Sequence, residues 1–251
     1  MASSLKRSAG KQPGPKPSVV SAPAIVEREP RGARRKRETR SRLLAAALKL
    51  MAEKGMEGVA INEITEAADV GSGSFYNHFE SKEAIYAAVV DSVFGEFSDA
   101  LDELVSNILD PAEVVSVCVR HTLLRAGRDP TWGQFLIREG FSTQSLERGL
   151  AQQLLRHIRQ GIAAGRFSIA IADALIGLIS VGGPVLASIA VAQKLGVAAG
   201  PRAAGLAELG FNTNHLPERT AAVVLQTLGL DRAAAEEVAH RPLPAVESQI
   251  E

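Results

Sequence analysis

From residue 38 onward the chain is patterned in helical periods. Leu44, Leu48 and Met51, joined by Leu43, Ala47 and Leu50, recur three or four residues apart and stop at Gly55, which predicts a first helix over 38–54. Ile61, Ile64, Ala67 and Ala68 predict a second helix of two turns. Asp69-Val70-Gly71 follows as a bend, and Ser72 to Phe79 as a third short helix. Ser81 caps a fourth, where Ile85, Val89, Val93 and Phe97 stand at successive i+4 positions and the pattern points on toward Leu109. Asp110-Pro111 opens a helix to Arg125. Trp132–Glu139 reads as a short helix and Ser142–Ala163 as one long one ended by Gly165. Ile169–Leu195 is apolar on most of its surface, with a kink expected at Gly182-Gly183-Pro184. Residues 196–214 read as a loop, and Glu218–Leu228 and Arg232–His240 as the last helices. No stretch alternates apolar and polar residues, and Asn-Gly and Asp-Gly pairs are absent. The fold class expected is all-α.

Composition agrees: 46% of residues are hydrophobic but only 4% aromatic, with Ala, Leu and Val dominant. The net charge of zero hides a division. Residues 1–37 hold ten Lys/Arg, including Arg34, Arg35, Lys36 and Arg37, against Glu27 and Glu29, so the remainder is acidic by the same amount. Rich in Pro, Gly and Ser, residues 1–37 read as a disordered basic arm, either a polyanion contact or a solvated linker. Cys118 is the only cysteine, which rules out an intrachain disulfide and suits a reducing cytoplasm. The N-terminus has no apolar segment of the secretory kind. Ala174–Ala192 carries no charge and is long enough to span a bilayer, but its glycines, serines and Pro184 favour a helix buried in a protein interface, so no membrane partner is expected.

Residues 60–79 carry the most specific signal. Two short helices joined by a tight turn are what a helix-turn-helix requires, with the second helix entering the major groove. Ala67 and Ala68 let the helices cross closely, Val70 plugs the turn, and Asp69 and Gly71 tolerate a left-handed backbone. The stretch from Thr39 through Phe97 resembles the tetracycline-repressor (TetR/AcrR) family. The match is carried by Ile64-Thr65-Glu66-Ala67-Ala68-Asp69-Val70, Gly73-Ser74-Phe75-Tyr76-Asn77-His78-Phe79 and Ser81-Lys82-Glu83, with Tyr76, Phe79 and Lys82 at three-residue spacing.

The resemblance implies a homodimer on double-stranded operator DNA, with a three-helix DNA-binding domain over 38–84, a helical effector-binding and dimerisation domain over 85–240 and a flexible tail over 241–251. Ser72, Gly73, Ser74 and Asn77 are placed to meet base edges, because short polar side chains at the start of a recognition helix reach the groove floor. Tyr76, His78, Lys82 and Arg40 are assigned to phosphates, although Tyr76 also reads as a packed aromatic and His78 as a merely exposed residue. Two departures matter. Ala60 stands where a hydroxyl would cap the second helix, and Gly71-Ser72 replace the usual cap of the third. The basic arm offers compensation by following the backbone or entering the minor groove.

The second half matches that family only in helix pattern and length. Ile169–Leu195 and Glu218–Leu228 are the candidates for a dimer interface, or else for a monomer's core. His121, Trp132, Phe135, Phe141 and Phe167 are candidates for a pocket that holds a small hydrophobic effector, or else are plain core. The five histidines show no metal spacing, and neither a nucleophile elbow nor a phosphate loop is present, so no enzyme, cofactor or metal is expected. The function expected is a regulator, most simply an effector-released repressor; the alternative is an effector-independent or architectural DNA-binding protein relying on its arm.

Overall fold

The computed structural model describes residues 31–147, 149–169, 174–196, 205 and 208–245, and within these every regular element is a helix. Helices α1 (Arg31–Lys54), α2 (Ile61–Ala67), α3 (Ser72–Tyr76) and α4 (Lys82–Val90) form the head. The body comprises α5 (Glu96–Val105), α6 (Pro111–Arg128), α7 (Pro130–Glu139), α8 (Thr143–Glu147), α9 (Leu150–Ala163), α10 (Ala174–Gly196), α11 (Leu216–Thr227) and α12 (Arg232–Ala239). Helix α6 is the axis of the body: Val115, Val117 and Val119 are buried, and α7, α9, α10, α11 and α12 all pack on it. Its start, and those of α7 and α12, are set by aspartates. Asp110, Asp129 and Asp231 each accept a first-turn backbone N–H at 2.9–3.0 Å, and Pro111 and Pro130 fill positions that need no N–H.

Three expectations change, and Pro184 falls inside a continuous helix. The first helix begins at Arg31, so Arg34, Arg35, Lys36 and Arg37 ride on a helix and not on a disordered arm. Residues 1–30 lie outside the described residues. The single helix expected over 142–163 is two, because Gly149 takes φ +85 and the backbone of Phe94 packs against it. The apolar helix is described from Ala174, without a break at Pro184. Residues 241–245 are no loose tail: Arg241 bridges Asp110 at 3.1 Å and Glu113 at 2.7 Å, and the Pro244 carbonyl lies 3.1 Å from His121 Nε2.

Head and body share one long helical run, and its period explains an irregularity in the middle. Ile85, Val89, Val93, Phe97, Leu101 and Val105 are all buried. In a straight α-helix each four-residue step overshoots a full turn by about 40°, so five steps drift by roughly 200° and the apolar stripe would wrap away from the core. A π turn at Asp91–Gly95, in which Glu96 N–H reaches back to the Asp91 carbonyl, joins α4 to α5 and takes out about 100° of that drift. The repeat therefore implies the bulge, and the helical run ends at Val105, short of Leu109.

Candidate nucleic-acid interface and cavity

Helix α3 is five residues long and too short to hold itself. Phe75, 0% exposed, anchors it from beneath, tilted against buried Phe79 at 5.8 Å. The opposite face is free: Ser72, Gly73, Tyr76 and Asn77 are exposed, and Ser74 and His78 half-buried. Tyr76, at 62% exposure, is not a packed aromatic. A Cβ on Gly73 would meet nothing within 4 Å, so the start of the helix presents bare backbone. The turn before it is held by a residue sequence reasoning did not single out. Asp69 takes φ +51, and Arg42 on α1 donates to its carbonyl at 2.7 Å and its carboxylate at 3.0 Å. Gly71, at φ −67, does not use its freedom.

The hydroxyl missing at Ala60 is partly replaced. Glu63 accepts the Ala60 N–H at 2.9 Å and Lys54 Nζ at 2.5 Å, which is the reciprocal half of a capping box. The lysine first, and then that N–H, hold its carboxyl below the usual range. Cations gather beside α3. Arg40 lies over the Phe79 ring at 5.1 Å, and Lys36 and Arg40 add to burial in lowering the proton affinity of His78. Lys82 stands at the start of α4, 3.9 Å from Glu57. Along the extension Arg34 pairs with Glu38 at 2.7 Å, and Arg35, Lys36 and Arg37 are exposed.

The head is tied to the body through the end of α7. Arg138 donates to the Ala52 and Glu53 carbonyls at 3.3 and 3.1 Å, capping α1, and Tyr86 on α4 donates to Glu139 at 2.6 Å. Burial and that carboxylate push the Tyr86 phenol up to about 12. Immediately behind these residues lies an apolar cavity of about 80 Å³, lined among others by Val119, Leu136, Phe141 and Leu178, with Gln153 and His157 at its polar side. Of the five expected pocket residues only Phe141 lines it. Trp132 and Phe135 are core, packed with Phe94; Phe167 lies against Gly161; and His121 meets the C-terminal strap. Aromatic content points there, whereas the useful signal is polar, the i, i+4 pair Gln153 and His157 on an otherwise apolar face. Gln153 donates to the Ser98 carbonyl at 2.8 Å, and Asp102 holds Arg156 and stands 3.2 Å from His157. Burial raises the Cys118 thiol, also in the wall, to about 12, so it is no thiolate nucleophile at neutral pH.

Residues 43–89 match the bacterial regulatory proteins of the tetR family, and residues 110–241 a tetracyclin repressor-like C-terminal domain. The chain belongs to the tetR family. The HTH-type transcriptional repressor DhaR of Mycobacterium sp. (strain GP1) is 33% identical over 125 residues, 49% of this chain and 61% of that protein. The HTH-type transcriptional repressor NemR of Escherichia coli (strain K12) is 34% identical over 70 residues, 28% of this chain and 35% of that one. The match thus spans less than two thirds of these curated relatives. Over a longer stretch, the crystal structure of RolR with its ligand resorcinol is 32% identical, with TM-score 0.58, covering 86% of this chain and all of that one.

Proposed function

We propose that this chain is a homodimeric, sequence-specific repressor of transcription that reads operator DNA with α3 and releases it when a small, mostly apolar effector enters the cavity. The observation that carries the reading is the two-faced α3. Its buried Phe75 fixes the helix while Ser72, Gly73, Tyr76 and Asn77 are left to a major groove. Repressor relatives and resorcinol-bound RolR support the same assignment. Lys36, Arg40, His78 and Lys82 are assigned to phosphates beside that groove, and the helical extension bearing Arg34, Arg35 and Arg37 to the flanking backbone.

A second copy is part of this reading, since paired half-sites need paired reading helices. Helices α10 and α11 offer the surface for it: Ile176, Ile179, Val191 and Val223 are about half exposed. Residues 175–196 also satisfy the length and hydropathy of a membrane span, with 28% of the apolar window buried. The interface reading is preferred because two polar side chains of α10 bond neighbouring elements of the body: Ser188 bonds Thr220 at 2.9 Å and Gln193 the Pro130 carbonyl at 3.0 Å. A cytoplasmic protein follows from this role.

The cavity explains how an effector would act. An engineered cavity of about 150 Å³ holds benzene, so one of about 80 Å³ must widen to admit a ring. Its wall includes Leu136 and Phe141, on either side of Arg138 and Glu139, the residues that hold the head. Widening therefore biases two head placements, which is the differential binding that release requires.

In vitro selection from a random duplex pool with the full chain tests the reading. Expected is an enriched palindrome with half-sites roughly one helical turn, about 34–36 Å, apart. Its binding should weaken with salt along a log–log slope that is shallower by about 0.9 for each phosphate left unneutralised in K36A or R40A. Absence of any enriched motif refutes the reading, and an unchanged slope removes Lys36 and Arg40 from the interface.

A further inference from the structure

We propose that Trp132 is a positioning residue for DNA binding: its indole N–H, on the Val93 carbonyl at 3.1 Å, holds the π turn in register and so sets the rotation of the head on the body. The inference rests on the reading of α3 as the DNA reader. The turn is the one helical joint between α4, on which the head is built, and α5, which belongs to the body. A residue gained or lost from the helical register there turns everything before it by about 100° and shifts it by about 1.5 Å. Half-sites at fixed spacing tolerate neither.

A π turn puts its backbone groups out of step with the α-helical ladder, since Glu96 N–H goes to Asp91 and not to Ser92. Such a turn weakens the regular ladder, and within this one the Val93 carbonyl accepts a side-chain donor, the Trp132 indole N–H. Trp132 is 3% exposed, so water is a poor substitute. Its ring also meets the turn itself and the start of α5, edge-on to Phe94 at 6.3 Å and to Phe97 at 5.1 Å. The backbone that carries the ring is closely packed. Asp129 accepts the Trp132 backbone N–H at 3.0 Å, and a Cβ on the next residue, Gly133, would come within 2.6 Å of Gln193. One helical turn on, α7 presents Leu136 to the cavity. Movement of that wall reaches the indole through a single rigid helix.

Because Trp132 is the only tryptophan in the chain, it can be exchanged residue-specifically for β-(3-benzothienyl)alanine, which keeps the ring's shape and puts sulfur in place of the N–H. W132F serves as a second variant. Three quantities are read on the full chain: affinity for the duplex selected by the wild-type protein, hydrogen exchange over residues 93–98, and the thermal midpoint. Expected are faster exchange at 93–98 and binding weaker by about fivefold or more, the loss of one buried hydrogen bond acting on head placement, with a midpoint within a few degrees of wild type. Unchanged exchange, or faster exchange with unchanged affinity, overturns the proposal. If the wild-type protein selects no duplex, the DNA reading fails and the positioning role with it, while exchange at 93–98 still decides whether the indole holds the turn.

Discussion

Replacing Tyr86 by Phe removes one oxygen from the junction between head and body, and the structure sets the size of the effect. The phenol donates to Glu139 at 2.6 Å, a charge-assisted bond, from a side chain 6% exposed. Such bonds contribute roughly 1.5–3 kcal/mol net. Glu139 is only half-buried and regains water when its partner leaves, so about 1–2 kcal/mol is expected for Y86F, or a midpoint lower by roughly 2–8 °C. The pH dependence provides an internal check. An unfolded tyrosine titrates near 10, whereas Tyr86 is raised to about 12 by burial first and the Glu139 carboxylate second. A raised pKa means that the contribution is fully present below pH 10 and disappears as pH climbs through 12. A two-unit shift corresponds to about 2–3 kcal/mol. The stability advantage of wild type over Y86F, measured by urea denaturation at fixed protein concentration, should therefore shrink between pH 10 and 12. At pH 7.5 the fluorescence anisotropy of a labelled selected duplex should show affinity reduced by up to about 5–30-fold, the equivalent of the missing bond. A pH-independent difference, or lower stability with unaltered DNA affinity, refutes the idea that this bond places the head.

Two further substitutions follow from the same geometry. In G182A the new Cβ would lie 3.1 Å from Phe141 Cε1, pressing the ring into the cavity; calorimetry with benzene, a generic apolar probe, should show binding weakened about tenfold while stability changes by less than about 1 kcal/mol. Unchanged binding means that Phe141 does not bound the effector site. D69A keeps a side chain at φ +51 and drops the carboxylate that Arg42 holds; destabilisation by about 1–3 kcal/mol is expected. D69G drops the same carboxylate but also relieves the backbone strain, so it should recover part of the loss, and equal losses in the two would assign the whole effect to the lost contact with Arg42.

The head is legible in the sequence because its information is local. A Gly stop, a Ser cap and small residues at a helix crossing occupy nearby positions, and Phe75 and Phe79 alternate with exposed groups at helical spacing. The tie between Arg42 and Asp69 is not legible, since it joins residues 27 apart through the tip of a long side chain. The cavity escapes for a related reason. Aromatics are its obvious markers, but in a chain with so few of them Trp132 and Phe135 are spent on the joint where two helices change register. The wall is made largely of Leu, Val and Gly, whose positions depend on how α6, α7, α9 and α10 cross. For the basic segment, composition alone suggests disorder. Helix propensity of Arg, Lys and Ala, continued from a well-anchored α1, carries the helix back to Arg31.

Strict i+4 spacing from Ile85 to Val105 is in plain view in the sequence, yet it passes for ordinary helix because four is close to 3.6. Over one or two turns the difference is absorbed by side-chain reach. Over five it amounts to more than half a revolution. A sequence that keeps every fourth residue apolar for that long must either turn its stripe away from the core or insert a bulge. This one inserts the bulge where the head ends. The same helix thus serves two partners: α4 is fitted to the head, α5 to the body, and the π turn reconciles their phases. Three restraints on the joint and the head, Trp132 on Val93, Glu139 on Tyr86 and Arg138 on the end of α1, come from α7, the helix that also forms one side of the cavity. Under the proposed function a ligand would therefore not have to reach the head to alter its angle: displacing α7 by the width that a ring requires would carry these restraints with it.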